Sequence, residues 1–291
     1  RAMMEGATHI EFVPERALEI ARKVTLRAID RYKKRQKVFI PDRKVDVVAG
    51  FSHETINHML GGTFRASYRP LNDNIINGRI RGGAGVVGCN NARSQHNNEC
   101  ITLIKELIKN DVIVLTTGCN AIACATEGLL TPETAAVYCG PGLAEVCETV
   151  GIPPVLHLGS CVDNSRILLA LTEMVKAGGL GNDISDLPAA GSAPEWMSEK
   201  AISIGHYFVA SGVYTVFGVT LPVSGAPVFQ KYIFEEFEKL YGGMWDLEVD
   251  PIKHARKMID HIDKKRQALG IDRARERILV DMAARRELET A

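Results

Sequence analysis

Residues 84–130 read AGVVGCNNARSQHNNECITLIKELIKNDVIVLTTGCNAIACATEGLL. An apolar run over 84–88 stops at Gly88-Cys89-Asn90, and Ile101, Ile104, Leu107 and Ile108 then recur at helical spacing up to Lys109. A second apolar run, 112–118, stops at Gly118-Cys119-Asn120, and a second helical pattern follows over 121–130. Strands of four to seven residues alternating with helices imply right-handed βαβ crossovers and a mostly parallel sheet. Outward from this unit the same grammar recurs. Runs at 45–50 (VDVVAG), 135–139, 154–159 and 214–219 read as further strands, and 165–177 as a helix.

The ends of the chain read differently. Residues 14–37 carry an amphipathic helical pattern, while 228–241 and 252–286 read as entirely helical. No Pro-, Gly- or Ser-rich linker divides the α/β region. The expected fold is therefore α/β, a doubly wound, mostly parallel, Rossmann-like sheet with helical additions at both ends. Residues 1–40 are expected to form a helical segment belonging to a preceding domain, and residues 41–291 a C-terminal α/β domain with a helical tail.

Thirty-five Lys and Arg balance 35 Asp and Glu, and 46% of the 291 residues are hydrophobic, the profile of an ordinary globular protein. No apolar run approaches the roughly 20 residues of a spanning helix, and no charged n-region precedes an apolar h-region. The expectation is a cytoplasmic location. A chain with zero net charge has no basic field to attract phosphates, so nucleic acid is not an expected partner.

All seven cysteines fall between residues 89 and 161, without a CxxC pair, so neither a disulfide framework nor a zinc ribbon is indicated. Three of them stand at equivalent places: Gly88-Cys89-Asn90, Gly118-Cys119-Asn120 and Gly159-Ser160-Cys161 each follow a strand. In an open parallel sheet, ligands bind beyond the carboxyl ends of the strands. A helix expected after each cysteine would favour thiolate over thiol. Three thiolates on one rim suit an iron–sulfur or other thiophilic metal cluster. Cys100, Cys124, Cys139 and Cys147 read instead as small buried hydrophobes.

Ser192-Ala193-Pro194-Glu195 carries a capping-box pattern that would open a helix over about 193–206. Trp196, Lys200 and Ile204, four apart, would share one face of it. Lys200 would then either snorkel to water or be held in a pocket as a functional cation.

With these residues in view, the chain resembles the nickel-containing carbon monoxide dehydrogenases. The resemblance rests on IRGG with GVVGCNN (80–91), VLTTGCNA with GLLTPE (114–133), CGPGL (139–143), PPVLHLGSCVDNSR (153–166), DISDLP (183–188), APEWMSEKAISIG (193–205) and YFVASGV (207–213). It implies oxidation of CO with water to CO2, two protons and two electrons, reversibly, at a nickel–iron–sulfur cluster. It implies that Cys89 and Cys119 bind irons, that Cys161 binds nickel, that Lys200 is catalytic beside the substrate, and that Ile204 walls the substrate pocket. Implied partners are an electron acceptor such as ferredoxin, a second copy in a homodimer, and an acetyl-CoA synthase subunit; a peripheral place at the inner membrane is compatible with the cytoplasmic expectation. Members of that family are about twice as long and hold further [4Fe-4S] clusters in an N-terminal region. The region before Cys89 has no cysteine, so the chain resembles the C-terminal part of the enzyme, with three of the six cluster ligands. The alternatives are a hybrid-cluster redox protein and a cluster-free structural or interaction domain.

Overall fold

The computed structural model describes residues 9–37, 39, 41–61, 67–221 and 223–273. It divides into two compact units, Arg1–Lys44 and Val45–Ala291. The first holds α1 (Ala17–Lys33), whose amphipathic pattern buries none of its own residues within the unit. The second begins with α2 (His53–Gly61) and α3 (Arg69–Ile76) and continues with β1 (Gly82–Val86), α4 (Asn98–Lys109), β2 (Val112–Thr117) and α5 (Gly118–Thr126). Then come α6 (Thr134–Tyr138), α7 (Pro141–Val150), β3 (Val155–Gly159), a 3-10 turn Cys161–Asn164, α8 (Ser165–Ala177) and β4 (Ala189–Ala193). The chain goes on through α9 (Glu199–Ala210), β5 (Tyr214–Phe217), α10 (Pro227–Lys231), α11 (Phe237–Tyr241), β6 (Trp245–Leu247) and α12 (Pro251–Ala268).

All six described strands form one parallel sheet in the order β3-β2-β1-β4-β5-β6. The strand order reverses between β1 and β4, and in such sheets the crevice at that point is where ligands bind. β1, β2 and β3 therefore lie side by side, which puts the three cysteine turns on one edge. The expected α/β class and parallel sheet are present.

Three strand and helix expectations fail for identifiable reasons. Residues 45–50 are extended but outside the sheet; Val48 N donates to Leu130 O and Gly50 N to His157 O, isolated bonds rather than a ladder. Residues 135–139 lie mostly in α6, with Ala135 buried and Val137 exposed, because so short an apolar run carries no period that separates strand from helix. Ser192 and Ala193 belong to β4, not to a helix; Ser192 is paired on both sides, with Val86 of β1 and Val216 of β5. Small residues with weak strand propensity become a central strand there because both neighbours satisfy the backbone. In the tail, residues 228–241 are helical as expected, β6 lies between the two expected helical stretches and extends the sheet, and α12 ends at Ala268; residues 274–286 lie outside the described residues.

Two buried polar side chains on α12 tie it to the rest of its unit, one of them to β4. Arg266, 5% exposed, donates to Ile75 O (2.8 Å), Arg81 O (3.0 Å) and Ile271 O (2.6 Å). Arg266→Ala would leave three carbonyls short of a donor, and the expected loss is about 3 kcal/mol, measurable in the denaturant midpoint. His254 joins Ser192 Oγ at 2.8 Å through Nε2 and Glu248 O at 3.0 Å through Nδ1. Burial pushes its pKa down to about 4, so the folded state refuses a proton that the unfolded chain accepts. Stability conferred by neutral His254 is complete above pH about 6.5 and is lost as pH falls from there towards 4, by on the order of 3 kcal/mol. Unfolding midpoints across that window should show the fall, and His254→Asn should reduce it to the part due to His261, whose pKa burial likewise pushes down to about 4.

Candidate metal centre

The cysteine turns are built by glycines at positive φ. Gly88 (φ 142°), Gly118 (φ 59°) and Gly159 (φ 140°) adopt backbone conformations that side chains disfavour, Gly88 two residues past β1, Gly118 directly after β2 and Gly159 at the end of β3. A Cβ on Gly88 would meet Glu195 O at 2.3 Å. The missing side chain lets Cys89 N donate to Glu195 O at 2.8 Å, which draws the β1 turn onto the segment leading into α9. Asn91 Nδ2 adds a second tie, to Trp196 O at 2.9 Å. At Gly118 the close neighbour is Cys161 itself, whose Cβ would lie 3.3 Å from a side chain there. A register shift between Thr116 and Thr117 breaks the β2–β3 ladder just before this point, and such irregularities re-aim the chain beyond them.

These turns bring Cys89, Cys119 and Cys161 onto one cavity of about 690 Å³, and Lys200 and Ile204 line it too. Cys119 and Lys200 are exposed, while Cys89 and Cys161 are half-buried. Lys200 Nζ lies 3.6 Å from Cys161 Sγ, so the ammonium faces sulfur directly. Cys119 sits in the first turn of α5 and Cys161 in the first residue of the 3-10 turn, where free N–H groups favour negative charge. Cys89 does not share that arrangement, for α4 starts only at Asn98.

The helix expected at 193–206 begins at Glu199 instead, after Ser198. Trp196 therefore does not share a face with Lys200: it is buried in a separate apolar cluster with Phe217 and Trp245, its Nε1 donating to Val219 O at 3.3 Å. Glu195, read as a capping residue, is fully buried and accepts from Cys100 N at 3.4 Å. Lys200 and Ile204 remain one turn apart on α9.

The other cysteines stand apart chemically. Cys100, Cys124 and Cys147 are fully buried; burial pushes the Cys100 thiol up strongly, and the Cys124 and Cys147 thiols up to about 12. Burial also holds half-buried Cys139 up at about 12. Neutral thiols are poor metal ligands.

Among the described residues, no three His, Cys, Asp or Glu side chains converge on a point where one metal ion would sit. A cluster does not require such convergence, because each of its cysteines binds its own metal atom. Soft thiol donors, room for a cubane-sized group and an adjacent cation fit a nickel–iron–sulfur cluster on this side of the cavity.

Sequence reasoning missed His157, which also lines the cavity. Its Nδ1 accepts from Gly159 N at 3.1 Å, which leaves the hydrogen of the neutral ring on Nε2, and burial pushes its pKa down. Its place at the carboxyl end of β3 was the available signal. Asn164 and Phe208 also line the cavity.

The sequence matches the Prismane/CO dehydrogenase family over residues 1–252. It is 50% identical over 274 residues to carbon monoxide dehydrogenase 1 of Methanosarcina mazei, covering 94% of this chain and 42% of that protein. Carbon monoxide dehydrogenase 1 of Carboxydothermus hydrogenoformans is 42% identical over 91% of this chain and 43% of its own length. The chain thus spans about two fifths of the length of these relatives. Among solved structures, a nickel-free carbon monoxide dehydrogenase from Thermococcus sp. AM4 superposes with a TM-score of 0.83 at 51% identity, over 91% of this chain and 41% of that one. An acetyl-CoA synthase/carbon monoxide dehydrogenase with NiZn[Fe4S4] and NiNi[Fe4S4] clusters superposes with a TM-score of 0.83 at 37% identity, over 93% of this chain and 42% of that one. The family match takes in all six strands and every residue lining the cavity, and the chain belongs to the Prismane/CO dehydrogenase family.

Proposed function

We propose that the chain is the C-terminal, cluster-binding part of a carbon monoxide dehydrogenase that converts CO and water to CO2, two protons and two electrons, reversibly. The observation that carries this reading is the opening of Cys89, Cys119 and Cys161 onto one cavity, with Lys200 Nζ 3.6 Å from Cys161 Sγ. Cys89 and Cys119 would bind irons and Cys161 nickel; when bound, the nickel–iron–sulfur cluster supplies a site for CO and water and accepts the two electrons. A histidine and two further cysteines would come from preceding sequence, and further [4Fe-4S] clusters, in the same preceding region, would carry the electrons away.

The chain's own residues do the rest. Val87, Ile204 and Phe208 give the cavity an apolar wall, which suits a small uncharged substrate. Lys200 supplies a cation where oxygen bound to carbon takes on negative charge that CO lacks. The Nε2–H of His157, in the tautomer that Gly159 N selects, is a neutral donor for the same cavity. A soluble acceptor such as ferredoxin, a second copy of the chain and an acetyl-CoA synthase subunit complete the proposed partners. The proposed location is cytoplasmic; no described helix is long and apolar enough to cross a membrane.

The test is iron, nickel and sulfide analysis of the full-length protein carrying this sequence, alongside CO oxidation with an artificial electron acceptor. Stoichiometric cluster and turnover are expected. The 291-residue chain alone should be inactive, since it offers three cluster ligands of six. A full-length protein with neither metal nor sulfide would favour a cluster-free structural domain, and redox activity without CO oxidation a hybrid-cluster protein.

A further inference from the structure

Each cysteine turn carries an asparagine, and two of these side chains cross from one strand end to the next. Asn120, directly after Cys119 and 1% exposed, donates from Nδ2 to Val86 O, the last carbonyl of β1, at 2.8 Å, and to Thr116 Oγ1 at 2.8 Å. Asn164, three residues after Cys161 and 4% exposed, accepts at Oδ1 from Thr117 Oγ1 at the end of β2. One amide therefore ties the β1 end to the β2 end, and the other ties the β2 end to the 3-10 turn that bears Cys161.

The sheet cannot do this by itself. Pairing of β1 with β2 ends at Val86 and Thr116, and pairing of β2 with β3 is interrupted between Thr116 and Thr117. Beyond these points the only pairing left between these three strands, among the described residues, is Thr117 with Gly159, past the shift, so the turns of Cys89, Cys119 and Cys161 are held at their spacing by little of the ladder itself. Stability alone is a poor reason for the arrangement. Asn120 Oδ1 is buried with no partner among the described residues, and such an orphan acceptor costs free energy that an apolar side chain would avoid.

We propose that Asn120 and Asn164 are positioning residues that hold the three cysteine turns at the spacing a metal cluster requires. The proposal rests on the reading of the cavity as a cluster site. Removing hydrogen bonds that orient metal ligands costs about 10- to 100-fold in affinity, and the same scale is expected here.

The test uses the full-length protein loaded with iron, sulfide and nickel, as wild type, Asn120→Asp, Thr117→Val, Thr117→Ser and Cys161→Ala. Asp at 120 keeps the shape and loses the donors, Val at 117 keeps the shape and loses the hydroxyl, and Ser at 117 keeps the hydroxyl. Readouts are metal retention against a chelator, the electron paramagnetic resonance signal of the reduced cluster, and the unfolding midpoint of the metal-free protein. Asn120→Asp and Thr117→Val should hold metal at least tenfold less tightly with an altered signal, on the scale given by such orienting bonds. Thr117→Ser should retain the wild-type signal, and the metal-free midpoint of Thr117→Val, lowered because Asn164 Oδ1 loses its donor, should still leave that protein fully folded under the conditions of the metal-retention measurement.

Wild-type metal retention and signal in Thr117→Val would overturn the proposal, as would equal metal loss in Thr117→Ser. So would a fall in the metal-free midpoint of Thr117→Val large enough to account for the loss. Should Asn120→Asp fail to fold, the two Thr117 variants decide the question. Absence of iron from wild type itself, or retention of iron and nickel in Cys161→Ala, would overturn the cluster reading and this proposal with it.

Discussion

Cys161→Ala in the full-length protein should reduce bound nickel at least tenfold and abolish CO oxidation. Cys161 differs from the four buried or half-buried cysteines in two respects that the geometry makes plain. Its sulfur opens onto the cavity, and an ammonium stands 3.6 Å away. Negative charge on a ligated sulfur is therefore balanced at that point, whereas burial holds the Cys147 thiol up at about 12, with Glu148 nearby raising it further. Losing a ligand atom is more severe than losing a hydrogen bond that orients one, for which about 10- to 100-fold is typical. The control is Cys147→Ala, expected to cost roughly 1–2 kcal/mol of stability and no metal, as removal of a small buried side chain does. Elemental analysis and turnover measured on the same samples check both. Unchanged nickel in Cys161→Ala would remove this residue from the ligand set.

Lys200→Ala should lower turnover by about 100-fold or more while metal content stays near wild type, the scale of losing one preorganised charge donor. CO is neutral, and taking up oxygen from water puts negative charge at oxygen before the electrons depart. A cation fixed beside the cavity stabilises that charge more than it stabilises CO, so its loss should appear in the chemical step rather than in substrate binding. The structure changes the reason the lysine is held there. Trp196 does not pack beside it; its ammonium is placed by α9, one turn from Ile204, and by the sulfur of Cys161. Measurement of kcat and KM for CO with nickel and iron content checks this. A fall in activity matched by metal loss would assign Lys200 to holding the site together, and full activity would make it a solvated surface lysine.

The sheet was legible because its signals are local. Apolar runs bounded by glycine at 84–88, 112–118 and 154–159 each became a strand of the parallel sheet, and the repeated Gly-Cys and Gly-Ser-Cys turns marked their carboxyl ends. The helix at 165–177 matched its pattern to the residue. Where local signal was weak, the reading failed. AAGSA has no branched residue to announce β4, and a Ser-x-x-Glu sequence looks like a cap wherever it occurs. The extended residues 45–50 look like a strand because local pattern does not report whether a neighbour exists to pair with.

Sequence by itself determined which residues are the candidates for the chemistry. Three cysteines behind three glycines, and Lys200 with Ile204 one helical turn apart, are properties of the chain read in order. Tertiary structure alone decided how they meet: the reversal of strand order between β1 and β4, the break in the β2–β3 ladder that turns Cys161 onto Gly118, and the asparagine amides that cross between strand ends. It also decided that Glu195 and Trp196 face buried clusters rather than the cavity. The physical reason is range. Helix spacing and glycine conformation act within a few residues, whereas pairing partners, burial and cross-strand hydrogen bonds join residues tens of positions apart, and those exist only once the sheet has formed.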